Sequence, residues 1–171
     1  MDSSKPKIGF LGTGVMGAPM AGHLLKNGYQ VYVYNRTKSK TDDLVKQGAI
    51  YDEPNNIAKI ANIVILMLGF PHDVRDMALD KQAIVNDLQS GSILIDHTTS
   101  SPSLAEEIYE TCKKKGVSSI DAPVSGGDNG ARAGQLVVMC GGEKEAFDKA
   151  KVVMDCYSKQ IKLMGGAGKG Q

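Results

Sequence analysis

A short apolar run, Ile8-Gly9-Phe10-Leu11, leads into Gly12-Thr13-Gly14-Val15-Met16-Gly17, and no other feature constrains the fold as strongly. A strand, a G-x-G-x-x-G turn and a helix starting at about Val15 make the opening of a βαβ unit. Each glycine has its own task in such a turn. Gly12 takes the tight bend, Gly14 lets the backbone approach a pyrophosphate, and Gly17 lets the helix pack closely on the strand. The N–H groups and positive dipole end of that helix then face the phosphates. A bare G-x-G-x-x-G arises by chance in a chain with 20 glycines, and could be a plain structural turn. Its place after a strand and before a helix favours a dinucleotide.

The second nucleotide feature lies where the next strand ends. Gln30-Val31-Tyr32-Val33-Tyr34 alternates and is rich in strand formers. An NAD-binding unit usually carries Asp or Glu at this point, accepting from the ribose 2′-hydroxyl. Here the residues are Asn35-Arg36-Thr37. A carboxylate would repel a 2′-phosphate, whereas these three can donate to it, with Arg36 supplying charge and a planar fork. Alone, the trio would read as a polar loop. About 20 residues after the glycine turn, it makes NADP the preferred cofactor over NAD.

Bulk composition narrows the remaining classes. At 171 residues the chain suits one domain with a real core, and 42% hydrophobic with 23% charged residues is ordinary for a globular protein. A net charge of +1, 5% aromatic residues and no Trp argue against a nucleic-acid partner. Cys112, Cys140 and Cys156 are odd in number and widely spaced, which argues against a disulfide scaffold or a metal site and for buried thiols in a reducing compartment. His23, His72 and His97 lack ligand spacing, and His23 falls within the first helix pattern, where a structural role is expected. Residues 1–6 form a short polar lead without a secretory or transit pattern, and no apolar run reaches membrane-spanning length. The expected location is cytoplasmic, with no membrane partner.

Strand and helix patterns alternate through the chain, predicting an α/β fold with a mainly parallel sheet wrapped by helices. Helical patterns cover residues 39–47, 55–61, a run from His72, 103–115 and 143–154. Strand patterns cover 49–51, 63–68, 92–96, 117–124, 135–140 and 160–164. Ser103 to Glu106 resembles a capping box, and Gly116 stops that helix. Gly126-Gly127-Asp128-Asn129-Gly130 breaks the pattern, and the tail from Gly165 to Gln171 reads as a linker with four glycines in seven residues.

Ligands of an open parallel sheet bind beyond the carboxyl ends of its strands. Gly69-Phe70-Pro71 can lie along a nucleotide there or simply turn the chain. His97-Thr98-Thr99-Ser100-Ser101-Pro102 is dense in hydroxyls, of which helix capping explains a share. In Asp121-Ala122-Pro123-Val124-Ser125-Gly126-Gly127, the Ser125 hydroxyl and adjacent backbone N–H groups can cradle a carboxylate, although a flexible glycine turn has the same composition. Nothing in the sequence pairs Ser125 with a His or Asp, so a hydrolase triad has little support.

Together the segments 9–17, 35–37, 96–102 and 121–127 and the closing Gly168-Lys169-Gly170-Gln171 resemble the N-terminal half of the β-hydroxyacid dehydrogenases. That family includes 3-hydroxyisobutyrate dehydrogenase, the glyoxylate/succinic semialdehyde reductases and, more distantly, 6-phosphogluconate dehydrogenase. The match covers residues 7–171 in order. It implies a doubly wound Rossmann core of six strands with a small β-α-β extension. The boundaries it implies are an NADP-binding domain over 1–164 and the start of an interdomain linker over 165–171. It assigns Gly12, Thr13, Gly14, Val15 and Met16 to the pyrophosphate and Asn35, Arg36 and Thr37 to the adenosine ribose. Met67 and Leu68 line the cofactor groove in this scheme, and Thr99 lies near the nicotinamide ribose. Ser125, Gly126 and Gly127 hold a substrate carboxylate.

The departure from the family pattern is also informative. Its catalytic lysine would fall three residues beyond Gln171, and Lys169 stands too early to replace it. The family's helical second domain, which closes the site and forms the usual homo-oligomer, is not in this sequence either. The resemblance therefore implies the NADP-binding part of an oxidoreductase acting on a small 3-hydroxy acid or semialdehyde, inactive alone. Two other readings stay open: a non-catalytic nucleotide-binding module, and a methyltransferase-like Rossmann protein, which the lack of an acidic residue after the second strand disfavours.

Overall fold

Along β1 (Ile8–Leu11), Ile8 and Phe10 enter one buried cluster and Leu11 enters another, so the strand is covered on both faces. The same division recurs in β4 (Ile63–Leu66), where Ile63 and Ile65 oppose Val64 and Leu66, and in β5 (Ile93–Asp96), where Ile93 and Ile95 oppose Leu94. Continuous apolar strands of this kind require helices on both sides, which is the parallel-sheet solution. The computed structural model describes residues 4–171; the first half of the polar lead, residues 1–3, lies outside the described residues.

With β2 (Val31–Tyr34), β3 (Ile50–Tyr51) and β6 (Ser118–Asp121), these strands form a parallel sheet in the order β3-β2-β1-β4-β5-β6. The extension consists of β7 (Val124–Ser125) and β8 (Leu136–Gly141), which pair antiparallel, and β9 (Ser158–Gly165), which runs parallel to β8. β8 joins the main sheet through an antiparallel pairing of Asp121 with Gly141. One sheet face carries α1 (Gly17–Lys26), α6 (Gly127–Ala133) and α7 (Lys144–Met154), which contribute Met20, Leu24, Ala131, Phe147 and Val153 to its core. The other carries α3 (Pro54–Ile60), α4 (Pro71–Ala78) and α5 (Pro102–Lys113), with Ile57, Val74, Leu104 and Ile108. The expected doubly wound α/β fold with a β-α-β extension is the fold observed.

Several local expectations need correction. The helix expected over residues 39–47 divides into a 3-10 turn, Lys38–Thr41, and a short α2 (Asp42–Lys46). No capping box forms at Ser103, because Pro102 already opens α5; the Ser101 hydroxyl caps it, accepting from the Leu104 N–H at 3.2 Å. The segment 126–130 does not merely interrupt the pattern, since Gly127 starts α6. That glycine-rich helix is held from outside: Ala131 is buried, and His23 Nε2 lies 3.0 Å from both the Ala131 and Arg132 carbonyls. His23 thus has the structural role expected of it. The tail beyond β9 is anchored to the domain, not free. Asp121 accepts from the backbone N–H of Gly168 at 2.8 Å, Gly170 at 2.9 Å and Gln171 at 3.2 Å.

Candidate functional site

Register sets the site. Tyr34, Leu11, Leu66, Asp96 and Asp121 are successive partners across β2, β1, β4, β5 and β6. Five strands therefore end flush, and the loops after them open along one edge about 19 Å wide at the usual strand spacing. The strand order reverses direction about β1 and β4, which places a crevice at that edge.

The glycine turn sits in this crevice. Gly12 has φ +104°, and a Cβ there would lie 2.1 Å from the Met67 carbonyl oxygen. A Cβ on Gly17 would lie 1.8 Å from the Gly12 oxygen, so the turn and helix touch through backbone alone. Gly14 has nothing within 4 Å of its Cβ position, and Val15 beside it is 72% exposed. An open backbone between two packed glycines is the shape a pyrophosphate cradle requires. No side chain caps the start of α1 and its first turn holds no acidic residue, leaving the positive end uncompensated.

The loop after β2 is tied to that turn. Thr13 donates its N–H to Asn35 Oδ1 at 2.9 Å and its hydroxyl to the Lys40 carbonyl at 3.0 Å. Asn35 donates in turn to the Thr37 carbonyl at 3.0 Å, so its side chain is a strut between the two loops. Arg36 and Thr37 are exposed, and among the described residues Arg36 has no ion-pair partner. Lys38, whose Nζ lies 4.6 Å from the Tyr51 ring centroid, and exposed Lys40 follow it. The expected trio Asn35-Arg36-Thr37 stops short of these two lysines, although the alternation of basic residues at 36, 38 and 40 stands in the sequence.

Met16, Met67 and Val124 are half-buried against the same core cluster, which brings the glycine turn, the β4 loop and the start of the Ser125 segment to one side of the sheet. Leu68 packs with the opposite cluster, its N–H held by the Thr98 hydroxyl at 2.9 Å. Thr99 is exposed beside it. Ser125, Gly126 and Gly127 are all exposed, and both glycines have positive φ, +128° and +63°.

Beneath these loops Asp96, His97 and Asp121 are buried. Burial pushes the Asp96 carboxyl up to about 7, against the Thr98 N–H that it accepts at 2.9 Å. Burial likewise raises Asp121, outweighing the three tail N–H groups. His97, fully buried, is pushed down to about 4 and is neutral. Its Nδ1 meets the Ala122 carbonyl at 2.6 Å and its Nε2 meets the Tyr157 hydroxyl at 2.7 Å. Gln171 closes the edge, accepting from the Ser100 N–H at 2.9 Å and donating to the Thr98 carbonyl at 3.2 Å. A cavity of about 360 Å³ lined by Tyr29, Ile63, Ile93 and Val153 lies instead at the amino ends of β4 and β5, remote from these loops.

Comparison with known proteins gives the same fold. Residues 7–166 match the family described as the NAD binding domain of 6-phosphogluconate dehydrogenase. The chain is 46% identical over 170 residues to a probable 3-hydroxyisobutyrate dehydrogenase-like protein, mitochondrial, of Arabidopsis thaliana, covering 98% of this chain and 51% of that one. A Mycobacterium tuberculosis 3-hydroxyisobutyrate dehydrogenase solved with L-serine superposes with a TM-score of 0.91 at 30% identity, covering 96% of this chain and 56% of that one. A protein called Psf3, solved with NADP+ and 2-OPP, superposes with a TM-score of 0.88 at 29% identity, covering 96% and 58%. The chain spans just over half the length of the curated relatives it matches.

Proposed function

Since the chain belongs to the family of the NAD binding domain of 6-phosphogluconate dehydrogenase, we propose that it binds NADP along the carboxyl edge of its sheet. In this reading it serves an oxidoreductase that moves hydride between NADP(H) and a small 3-hydroxy acid or its semialdehyde. The observation that carries it is the flush alignment of five strands, with the open glycine turn and the exposed Ser125 segment on one edge. The structural relatives solved with NADP+ and with L-serine support the cofactor and the substrate class respectively.

Gly12, Thr13, Gly14, Val15 and Met16 hold the pyrophosphate. Arg36 and Thr37 take the 2′-phosphate, with Lys38 and Lys40 adding positive charge and Asn35 keeping the loop against Thr13. A free 2′-hydroxyl offers Arg36 no charge to pair with, so in this reading NADP is preferred to NAD. Met67 and Leu68 line the groove, and Thr99 meets the nicotinamide ribose. Bound here, the dinucleotide supplies or accepts the hydride. The Ser125 hydroxyl, with the backbone of Gly126 and Gly127, holds the substrate carboxylate.

The proton that must accompany the hydride has no donor among these groups. His97 is bonded on both sides within the core, and Asp96 is sealed beneath Thr98. In the family this chain resembles, that task belongs to a lysine, and Lys169 stands too early in the pattern to match it. The role proposed for this chain's own residues is to bind the dinucleotide and to hold the substrate carboxylate.

Titration of 3-hydroxyisobutyrate into the NADP+-saturated chain tests the substrate half of this reading. Saturable binding is expected, weakened about tenfold by Ser125→Ala with NADPH affinity unchanged. Tight NADPH binding with no carboxylate binding at all would favour a nucleotide-binding module over a dehydrogenase domain.

A further inference from the structure

Ala122 is gripped from both sides at the root of the Ser125 segment. Its N–H donates to the Asp96 carbonyl at 2.7 Å, and its own carbonyl faces His97 Nδ1 at 2.6 Å. A carbonyl can only accept, so Nδ1 carries the proton. In a neutral ring Nε2 is then an acceptor, and the Tyr157 hydroxyl donates to it at 2.7 Å. The two rings stand edge-on, with centroids 5.5 Å apart and planes at 86°. Both residues are fully buried. The His97 backbone is fixed as well, since its N–H donates to the Leu66 carbonyl at 2.8 Å. The relay therefore joins the end of β5, the link between β6 and β7, and the 3-10 turn Asp155–Tyr157 between α7 and β9.

We propose that His97 is a positioning residue for the substrate carboxylate: its Nδ1–H, with the tautomer locked by Tyr157, fixes Ala122 and thereby the placement of Ser125, Gly126 and Gly127. This rests on the reading of Ser125 as the carboxylate clamp. The physical case is that a hydrogen-bonded imidazole at 0% exposure must have both ring nitrogens satisfied. His97 meets that requirement with one partner on the functional loop and one on a distant turn. A residue placed only to fill the core would need no polar atoms there.

Two substitutions separate the relay from simple packing. The amide of His97→Asn can take the place of Nδ1 and donate to Ala122, whereas the longer His97→Gln reaches toward Tyr157 and abandons Ala122. Amide hydrogen exchange across residues 124–130 reads the loop's placement, and titration of NADPH and of 3-hydroxyisobutyrate reads the two halves of the site. For His97→Gln we expect exchange in this segment to rise about tenfold and carboxylate affinity to fall about tenfold, with NADPH affinity unchanged. His97→Asn restores both toward the parent. Equal impairment by the two variants, or parent-like exchange in a folded His97→Gln, overturns the inference. If the parent chain binds no carboxylate, the clamp reading fails while the exchange data still decide the positioning claim.

Discussion

Arg36 stands exposed at the end of β2, while Asp96 and His97 lie buried at the end of β5, and each has a measurable consequence. Arg36→Ala removes a charge-assisted donor from the proposed 2′-phosphate site. NADPH affinity should fall about 10- to 100-fold while NADH affinity barely changes, as read by parallel calorimetric titrations. Asp96 and His97 have opposing effects on stability. Burial raises the Asp96 carboxyl from 3.8 to about 7, so the folded state binds its proton more tightly than the unfolded chain does. Its contribution to stability is full below about pH 4 and is lost as the pH climbs toward 7. Burial lowers His97 from 6.5 to about 4, so its contribution is full above pH 6.5 and is lost as the pH falls toward 4. Across that shared window the two slopes offset, with Asp121 adding to the carboxylate side. Asp96→Asn removes one slope. Relative to the parent, this variant should gain stability as the pH rises from about 4 to 7, by ~4 kcal/mol at most. Urea unfolding across the range checks it, and a variant that tracks the parent at every pH contradicts the burial of a protonated acid.

At the scale of the element, the glycine turn was legible because its requirements are written in backbone geometry. Only glycine tolerates φ +104° at position 12 beside the Met67 oxygen, and only glycine fits at 17 against the Gly12 oxygen. Gly17→Ala should therefore cost roughly 2–4 kcal/mol of stability and abolish tight NADPH binding, measured by urea unfolding and calorimetry. Unchanged binding would mean that the turn is not the phosphate cradle. The strands read well for a similar reason, since β1, β4 and β5 are apolar on both faces and only a parallel sheet buries such runs. What was missed depends on contacts distant in sequence. α6 is poor in helix formers and is held by the burial of Ala131 and by His23, 108 residues away. The role of Asn35 as a strut was hidden likewise, because its partner Thr13 lies 22 residues earlier. His97 reads in the sequence as a histidine without ligand spacing in a hydroxyl-rich loop; nothing in the local sequence points to Tyr157, 60 residues on.

At the scale of the whole molecule, the tail is the least expected feature. Four glycines in seven residues suggest slack, yet a Cβ on Gly170 would come within 2.6 Å of the Met139 oxygen and 2.7 Å of the Asp121 oxygen. The tail is thus held in one place, with Gln171 against the backbone of Thr98 and Ser100 beside the proposed site. Asp121→Asn replaces one accepting oxygen by an amide that faces backbone donors. Hydrogen exchange at Gly168, Gly170 and Gln171 should rise at least about tenfold while β1 and β4 stay protected. Slow exchange in that variant would show that packing alone holds the tail. Met139 and Met164, 40% and 49% exposed on neighbouring strands of the extension, leave apolar surface near this tail. Concentration-dependent association in sedimentation is the expected result, and a monomer at all concentrations would argue that this surface needs no cover. The most direct test of the central claim is calorimetric titration of NADPH and NADH into the 171-residue chain. The account predicts saturable NADPH binding at least about tenfold tighter than NADH; equal affinities would remove the role given to Arg36, and no binding of either would contradict the dinucleotide site itself.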